Sequence, residues 1–216
     1  MAVGLAARVT GMKLYFANGT VAQASLIALC EIGVEFELKR LDYAIKEQQS
    51  AAYRQVNPKA RVPSLIVGER VLTETPAILH YLATAYPKAK LIPQDPWDQS
   101  RVHELVSYLA STMHVAHAHK MRGPRWARHE SSFDDMRTKV TENMADCCAY
   151  LEATYFADRW ALESGYSIAD IHLFSVAQWL AGDGVVIAEY PKLSRCLDLI
   201  HARPAVKRAL TLEAGA

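Results

Sequence analysis

The hydrophobic pattern divides the chain into two parts. Residues 12–88 contain short apolar runs of strand length between helical patterns, whereas residues 98–216 show the three-to-four-residue spacing of amphipathic helices. The stretch from Tyr86 to Pro96 holds three prolines and little periodicity, so a linker is placed at residues 89–97. The pattern therefore predicts a mixed α/β domain followed by an all-α domain.

The first domain is predicted to contain seven elements. Strands are expected at residues 13–16 and 35–41, with a helix at 21–32 between them that ends at Gly33. A polar, weakly helical stretch covers 44–56, and a β-hairpin and a helix follow it. The resulting order, β-α-β-α-β-β-α, is typical of a thioredoxin-like fold. Because the first strands are joined by long crossovers, part of the sheet should be parallel.

The hairpin and the following helix, residues 57–81, contain the first candidate site. Pro63, at the start of a strand, is a candidate for a cis peptide bond, and the backbone of Val62 could then pair with an extended peptide. Thr73-Glu74-Thr75 opens a helix with Pro76 in its first turn. A helix N-terminus suits a carboxylate, and Glu74 suits an ammonium group. These features together predict a site for an amino-acid-like ligand.

The second domain is predicted to be a helical bundle. One long helix runs from Trp97 to about Met121 and another from Phe133 to about Trp160. Ser167 and Asp170 form a capping box ahead of a third helix, Ile168 to Leu180. That helix is apolar nearly all round, so it should be buried, and two short helices complete the chain.

Composition excludes several classes of function. The 216 residues include 24 basic and 23 acidic side chains, and no basic block indicates a nucleic-acid partner. No apolar run has membrane length, and residues 1–11 make a poor signal peptide, so they are expected to be a disordered extension. The four cysteines form no Cys-x-x-Cys pair, which favours reduced, buried thiols in a cytoplasmic protein.

Arg61-Val62-Pro63-Ser64, the hairpin, and Thr73-Glu74-Thr75 ahead of Ala77-Ile78-Leu79 resemble the glutathione-binding half of cytosolic glutathione transferases. The bacterial beta-class-like forms are the most similar. The resemblance extends from Met12 to about Leu210. One position departs from it, because beta-class members have a cysteine where this chain has Val21. The resemblance implies glutathione as co-substrate and a homodimer.

The same resemblance implies a set of glutathione contacts. Val62 and Pro63 would meet the cysteinyl backbone, and Glu74 would hold the γ-glutamyl amine. Thr75 would bind the γ-glutamyl carboxylate, and Lys46 the glycyl carboxylate. Instead of binding a ligand, Glu74 could be a charge that is favoured in the first turn of a helix, and Lys46 could be a solvated surface lysine.

Catalysis requires a group that stabilises the glutathione thiolate, since a thiol of pKa about 8.5 is little ionised at neutral pH. The loop after the first strand offers Thr20 and Asn18, and Tyr15 precedes it. Thr20 could equally be a plain helix N-cap, and Tyr15 a core aromatic. His114 falls where beta-class enzymes have an active-site histidine, so the resemblance makes it a further catalytic candidate.

A second-substrate pocket is expected in the helical domain. Its candidates are Tyr15, His117, Arg122 and Trp126, and the basic character hints at an acidic or aromatic-acid substrate. The alternative for the last two is a solvated loop with one anchoring tryptophan. His114 and His117 could share a metal ion, but no metal is predicted because no cysteine or carboxylate joins them at a ligand spacing.

Two functions follow from these features. The first is a glutathione transferase that promotes thiolate attack on a small hydrophobic electrophile, by conjugation or by glutathione-dependent peroxide reduction. Isomerisation is disfavoured, because the Ser-Ser-Cys signature of zeta-class enzymes is absent. The second is a catalytically weak relative that serves as a ligand-binding or assembly protein.

Overall fold

A four-stranded mixed sheet organises the first part of the computed structural model, which describes residues 11–156 and 159–215. The spatial order is β2-β1-β3-β4. β1 and β2 are parallel, and the other neighbours are antiparallel. The partly parallel sheet and the β-α-β-α-β-β-α order predicted from the sequence are therefore confirmed. The strands are β1 (Met12–Phe16), β2 (Phe36–Arg40), β3 (Ser64–Val67) and β4 (Arg70–Thr73).

Three helices accompany the strands, α1 (Ala22–Ile32), α2 (Ala51–Val56) and α3 (Thr75–Ala85). Gly33 ends α1 with φ 69°, and its N–H bonds to the C=O of Leu29, as its sequence predicts. The helix predicted over 44–56 is shorter than expected. Lys46 adopts φ 57°, and Ser50, which is extended, caps the real start of α2 with its hydroxyl.

Every residue of α1 from Ala22 to Cys30 is buried. A helix apolar on all sides needs cover on all sides, and neither the sheet nor α3 supplies the whole of it. The last helix, α9 (Pro204–Gly215), packs on α1 and buries Val206 and Ala209. Residues from Arg203 onward accordingly group with the unit that ends at Ile92, whereas the sequence placed them in the helical domain.

The second unit spans Pro93–Ala202. It contains α4 (Pro96–Tyr108), a π-helical turn (Leu109–Met113), α5 (His114–Ala118), α6 (Glu130–Thr154), α7 (Ile168–Ala177) and α8 (Pro191–His201). The long helix predicted from Trp97 is interrupted only by the π-turn and ends at Ala118. α6 ends before the predicted Trp160, because Tyr155 is extended and Phe156 adopts φ 66°.

The capping box at the start of α7 is confirmed. The backbone N–H of Ser167 donates to Asp170 Oδ2 at 2.8 Å, and the N–H of Ala169 donates to Ser167 Oγ at 3.2 Å. Asp170 Oδ1 also accepts the N–H of Ala161. Burial raises the pKa of Asp170 to about 6 in spite of these bonds. The predicted burial of α7 is confirmed as well.

Three further sequence predictions meet the structure here. All four cysteines are buried and none forms a disulfide, as expected. Among the described residues, no helix is both long and apolar enough to cross a membrane. The predicted N-terminal extension lies outside the described residues except for Gly11, whose C=O accepts the N–H of Gly68 at 3.4 Å.

Candidate active site

Three segments of the first unit meet at one end of the sheet, where β1 and β4 finish and β3 begins; this end of the strands is called the sheet edge below. Ser64, the first residue of β3, pairs with Tyr15 near the end of β1 and with Thr73 at the end of β4. Because these pairs are antiparallel, the loop after β1, the approach to β3 at Val62-Pro63 and the start of α3 at Glu74-Thr75 lie together. Helices α1 and α3 both begin at this edge, so the backbone N–H groups of two helix N-termini lie there.

The peptide bond between Val62 and Pro63 is cis, as the sequence predicts. Among the described residues, neither the N–H nor the C=O of Val62 has a hydrogen-bond partner. Both groups are therefore available to an extended ligand backbone, which would pair with the segment ahead of β3 as a short strand.

A buried polar network holds this approach to β3. The Tyr53 hydroxyl donates to the C=O of Arg61 at 2.7 Å and lies 2.8 Å from Ser64 Oγ. The Asn57 side-chain amide donates to the same C=O at 2.8 Å and to Ser64 Oγ at 3.1 Å. Tyr53, Asn57 and Ser64 are all nearly inaccessible to solvent. The network fixes the backbone on either side of Val62-Pro63 without occupying the Val62 groups.

The start of α3 has two unusual features. Glu74, its N-cap residue, adopts φ 73°, a conformation that costs about 1–3 kcal/mol for a residue with a side chain. Thr75 is buried, and its hydroxyl has no hydrogen-bond partner among the described residues. An unpaired buried hydroxyl costs about 1–3 kcal/mol. A ligand carboxylate at this helix N-terminus would supply the missing acceptor.

Glu74 already holds a cation in the structure. Its carboxylate pairs with the ammonium group of Lys59, which also donates to Thr73 Oγ1 at 2.7 Å. Both members of the pair are largely exposed. The arrangement shows that this carboxylate accepts a primary ammonium group, the same chemical group as an amino-acid amine.

The loop after β1 contains Thr20. Its hydroxyl donates to the C=O of Ala17 at 2.6 Å and lies 3.4 Å from the N–H of Ala22, which points to it. A hydroxyl has a single proton, so Thr20 would have to turn its O–H away from Ala17 to stabilise a thiolate. Thr20 therefore serves the start of α1 in this state. Asn18 is exposed in the same loop.

Tyr15 and Lys46 complete the candidates of the first unit. Tyr15 packs its ring against Tyr53, with 5.3 Å between ring centroids, which places it beside the polar network. Lys46 is exposed and marks the start of a short 3₁₀ turn. Their roles toward a ligand stay predictions.

In the second unit, His114 and His117 both contact Trp179. His117 stacks on the indole with 4.1 Å between centroids, and His114 lies tilted at 4.9 Å. His117 Nδ1 is 2.6 Å from Asp183 Oδ2, and Asp183, which is buried, also accepts Lys120 Nζ at 3.1 Å. The two histidines follow the π-helical turn, a feature frequent at functional sites.

Arg122 and Trp126 lie in the turn after α5. Arg122 is exposed, and Trp126 is partly exposed with its ring edge-on to His119, 4.5 Å between centroids. Gly123 between them packs directly against Phe133. The turn is therefore anchored by packing, and the proposed contact of its side chains with a second substrate stays a prediction.

Sequence reasoning missed three residues that the fold brings to these places. Lys59 joins Glu74, Asp183 joins His117, and Glu213 of α9 accepts the N–H of Gly19 at 2.9 Å. None belongs to a local motif with its partner, so spacing offered no signal. The described residues contain no cluster of three or more metal-binding side chains.

A thioredoxin-like domain followed by a helical domain defines a class of protein. The sequence family model of the glutathione S-transferase N-terminal domain matches residues 10–84, and the family model of the C-terminal domain matches residues 119–211. The chain belongs to the glutathione S-transferase family.

Similar proteins cover nearly the whole chain. A solved glutathione transferase homologue from Sulfitobacter, with bound glutathione, is 43% identical, covers 94% of this chain and 98% of its own, and has a TM-score of 0.90. Protein LigF of Sphingobium is 29% identical over 91% of each chain. Maleylacetoacetate isomerase of Pseudomonas aeruginosa is 27% identical and covers 92% of this chain and 95% of its own.

Proposed function

We propose that this protein is an enzyme that binds reduced glutathione at the sheet edge and promotes attack of its thiolate on a small hydrophobic electrophile. The main support is a set of polar groups at that edge that either lack a hydrogen-bond partner among the described residues or are paired with a side chain that a ligand could replace. Among the described residues, Val62 offers an N–H and a C=O without a partner and Thr75 a buried hydroxyl without one, and Glu74 has a carboxylate that now holds the Lys59 ammonium.

These groups match glutathione from end to end. Its cysteinyl backbone would pair with Val62 beside Pro63, its γ-glutamyl amine would replace Lys59 at Glu74, and its γ-glutamyl carboxylate would bind at Thr75. Lys46 remains the candidate for the glycyl carboxylate. The glutathione-bound Sulfitobacter homologue supports this choice of ligand, because it is similar over 94% of the chain.

Thiol activation is proposed to occur at the loop after β1. The start of α1 presents backbone N–H groups there, and Thr20 is the candidate donor once its hydroxyl turns from Ala17. Asn18 and Tyr15 remain the alternatives. Lowering a thiol pKa by about two units takes about 2.7 kcal/mol, which one or two charge-assisted hydrogen bonds can provide.

The helical unit would supply the second-substrate pocket. His114 remains the catalytic candidate by the family resemblance, and His117, Arg122 and Trp126 remain candidates for binding the second substrate. Since Asp183 bonds to Nδ1 of His117, the ring orientation of His117 is set and Nε2 is the nitrogen left to meet a substrate. A homodimer is proposed on family grounds.

Calorimetric titration with reduced glutathione tests the proposal, at two pH values and in buffers of different ionisation enthalpy. Binding with proton release near neutral pH is the expected result, because a site that ionises the thiol must expel its proton. Absence of binding would contradict the proposal. Binding without proton release would instead favour the second candidate, a weakly catalytic ligand-binding or assembly protein. The presence of Val21 where beta-class members have a cysteine supports that candidate.

The reaction itself is tested with a panel of electrophiles. Conjugation of an aryl halide and reduction of an organic peroxide are the expected activities. The panel should also include an aryl ether and a maleyl-type double bond, because a solved relative is described as the beta-etherase LigF and another relative as maleylacetoacetate isomerase. Activity on only one of the last two would replace conjugation by that reaction.

A further inference from the structure

The carboxylate of Glu213 lies at the beginning of α1, although it belongs to the last turn of α9. Its Oε1 accepts the backbone N–H of Gly19 at 2.9 Å, and its Oε2 accepts the side-chain amide of Gln23 at 2.9 Å. Glu213 and Gln23 are both buried. The carboxylate thus links the loop after β1 to the first turn of the helix that follows it.

The electrostatics of this position are informative. A carboxylate in the last turn of its own helix meets the negative end of the α9 dipole, which is unfavourable. The start of α1 presents the positive end of a second dipole, and both oxygens accept hydrogen bonds there. A buried charge is costly without such partners. The placement of Glu213 is therefore accounted for by α1 and not by α9.

A second ion pair attaches the other end of α9 to α1. Arg203, just before α9, donates from Nε at 2.6 Å and from its Nη2 at 2.9 Å to the two oxygens of Glu31 near the end of α1. The two helices are antiparallel and are joined at both ends. Polar contacts therefore attach α9 to α1 at two places. Of these two, only the contact made by Glu213 involves the loop after β1.

Gly19 is a weak point of this loop. It is exposed and adopts φ 67°, and it has no side chain through which packing could hold it. Its N–H bond to Glu213 is a long-range contact that joins the backbone immediately before Thr20 to α9. A shift of this backbone would displace every candidate donor that follows β1.

We propose that Glu213 is a positioning residue for thiol activation: it holds Gly19 and the start of α1 in the geometry in which this loop acts on the glutathione sulfur. The inference rests on the proposed function. It predicts that the last helix of the chain governs turnover through one carboxylate, without contacting glutathione itself.

Amide hydrogen exchange in the full chain tests the structural half independently of activity. In Glu213→Ala, the Gly19 N–H should exchange at least about tenfold faster than in the wild type, because it loses its charged acceptor and the Gln23 amide loses its own. Glu213→Gln keeps one acceptor and should show a smaller change. Arg203→Ala is the matched control, since it loosens the same helix at its far end and should leave Gly19 protected.

Kinetics test the functional half. Glu213→Ala should lower kcat for conjugation about tenfold or more, with a glutathione Kd within about threefold of the wild type. Glu213→Gln should recover part of kcat, and Arg203→Ala should lower Tm without lowering kcat. Where Glu213→Ala does not fold, Glu213→Gln alone decides the question.

Three results would overturn the inference. One is an unchanged exchange rate at Gly19 in both Glu213 variants. Another is an equal loss of kcat in Arg203→Ala, which would mean that docking of α9 in general matters. The third is wild-type kcat in a variant whose Gly19 exchanges faster. A wild-type protein that binds no glutathione would instead refute the proposed function, with the exchange experiment still deciding the structural role of Glu213.

Discussion

The ammonium group of Lys59 pairs with the carboxylate of Glu74 at the N-terminus of α3. Lys59 follows α2 and Glu74 follows β4, and the β-hairpin between them brings the two to one edge of the sheet. The pair is largely exposed, so it contributes little to stability, about 0–1 kcal/mol. Its meaning is chemical, because it shows that Glu74 accepts a primary ammonium group.

Glu74→Gln should weaken reduced glutathione binding about five- to tenfold, because a charge-assisted hydrogen bond in a partly exposed site is replaced by a neutral one. Glu69→Gln is the matched control, since Glu69 is an exposed carboxylate at the opposite end of the same hairpin. Calorimetry measures both. Equal Kd values for Glu74→Gln and wild type would remove Glu74 from the site.

Lys59→Met should strengthen glutathione binding about two- to fivefold. The ligand amine would no longer compete with a resident ammonium group, and the competing pair is worth at most about 1 kcal/mol. Lys88→Met, which removes another exposed lysine, provides the comparison. Weaker binding by Lys59→Met would show that Lys59 itself holds the ligand.

Tyr53→Phe should lower the free energy of unfolding by about 1–2 kcal/mol, because the C=O of Arg61 and Ser64 Oγ both lose a partner in a buried network. Urea titration measures this change. Tyr15→Phe keeps the ring that packs on Tyr53 and should change stability less. The glutathione Kd of Tyr53→Phe should also rise, since the network orients the approach to Val62. An unaltered Kd would separate the network from the site.

Gly123→Ala should destabilise the protein by about 1–3 kcal/mol. An added Cβ would lie 2.6 Å from Cδ1 of Phe133, and the contact includes the base of the ring, which cannot swing away. Gly182→Ala is the control, because its nearest neighbour would be the Trp179 C=O oxygen at 3.4 Å. Thermal unfolding compares them. Equal Tm changes for the two variants would contradict this account.

The burial of His172 should make the free energy of unfolding decrease at acid pH. It is fully buried beside His114, both ring nitrogens lack partners among the described residues, and burial lowers its pKa to about 3. The unfolded chain binds a proton near pH 6.5, whereas the folded chain stays neutral. The contribution is therefore complete above pH 6.5 and is lost progressively as the pH falls toward 3.

His172→Leu removes this contribution. Between pH 6.5 and pH 5, the wild type should lose about 1.6 kcal/mol of unfolding free energy relative to the variant, because the unfolded histidine is already half protonated at pH 6.5 and the full slope of about 1.36 kcal/mol per pH unit is reached below it. Urea titrations of both proteins at the two pH values measure the difference. A wild-type-minus-variant difference that is the same at pH 5 and pH 6.5 would refute the assignment.

Local signals predicted much of this fold. The apolar runs located β1 and β3, Gly33 marked the end of α1, and the Ser167-Asp170 box marked the start of α7. These predictions succeeded because each depends on residues within about one turn or one strand. The helix predicted over 44–56 was wrong in part, because Lys46 adopts a left-handed conformation and no glycine at that position indicates it.

The sequence by itself therefore determined most of the elements, the cis bond at Pro63 and the order that places Val62 and Glu74 at the ends of one hairpin. Only the tertiary structure decided that Glu213 would meet Gly19, 194 positions away, and that Asp183 would meet His117, 66 positions away. Local preferences act over a few residues, whereas such pairs arise when helices bury their apolar faces and leave particular polar groups opposite one another. For that reason α9, predicted as part of the helical domain, packs on α1.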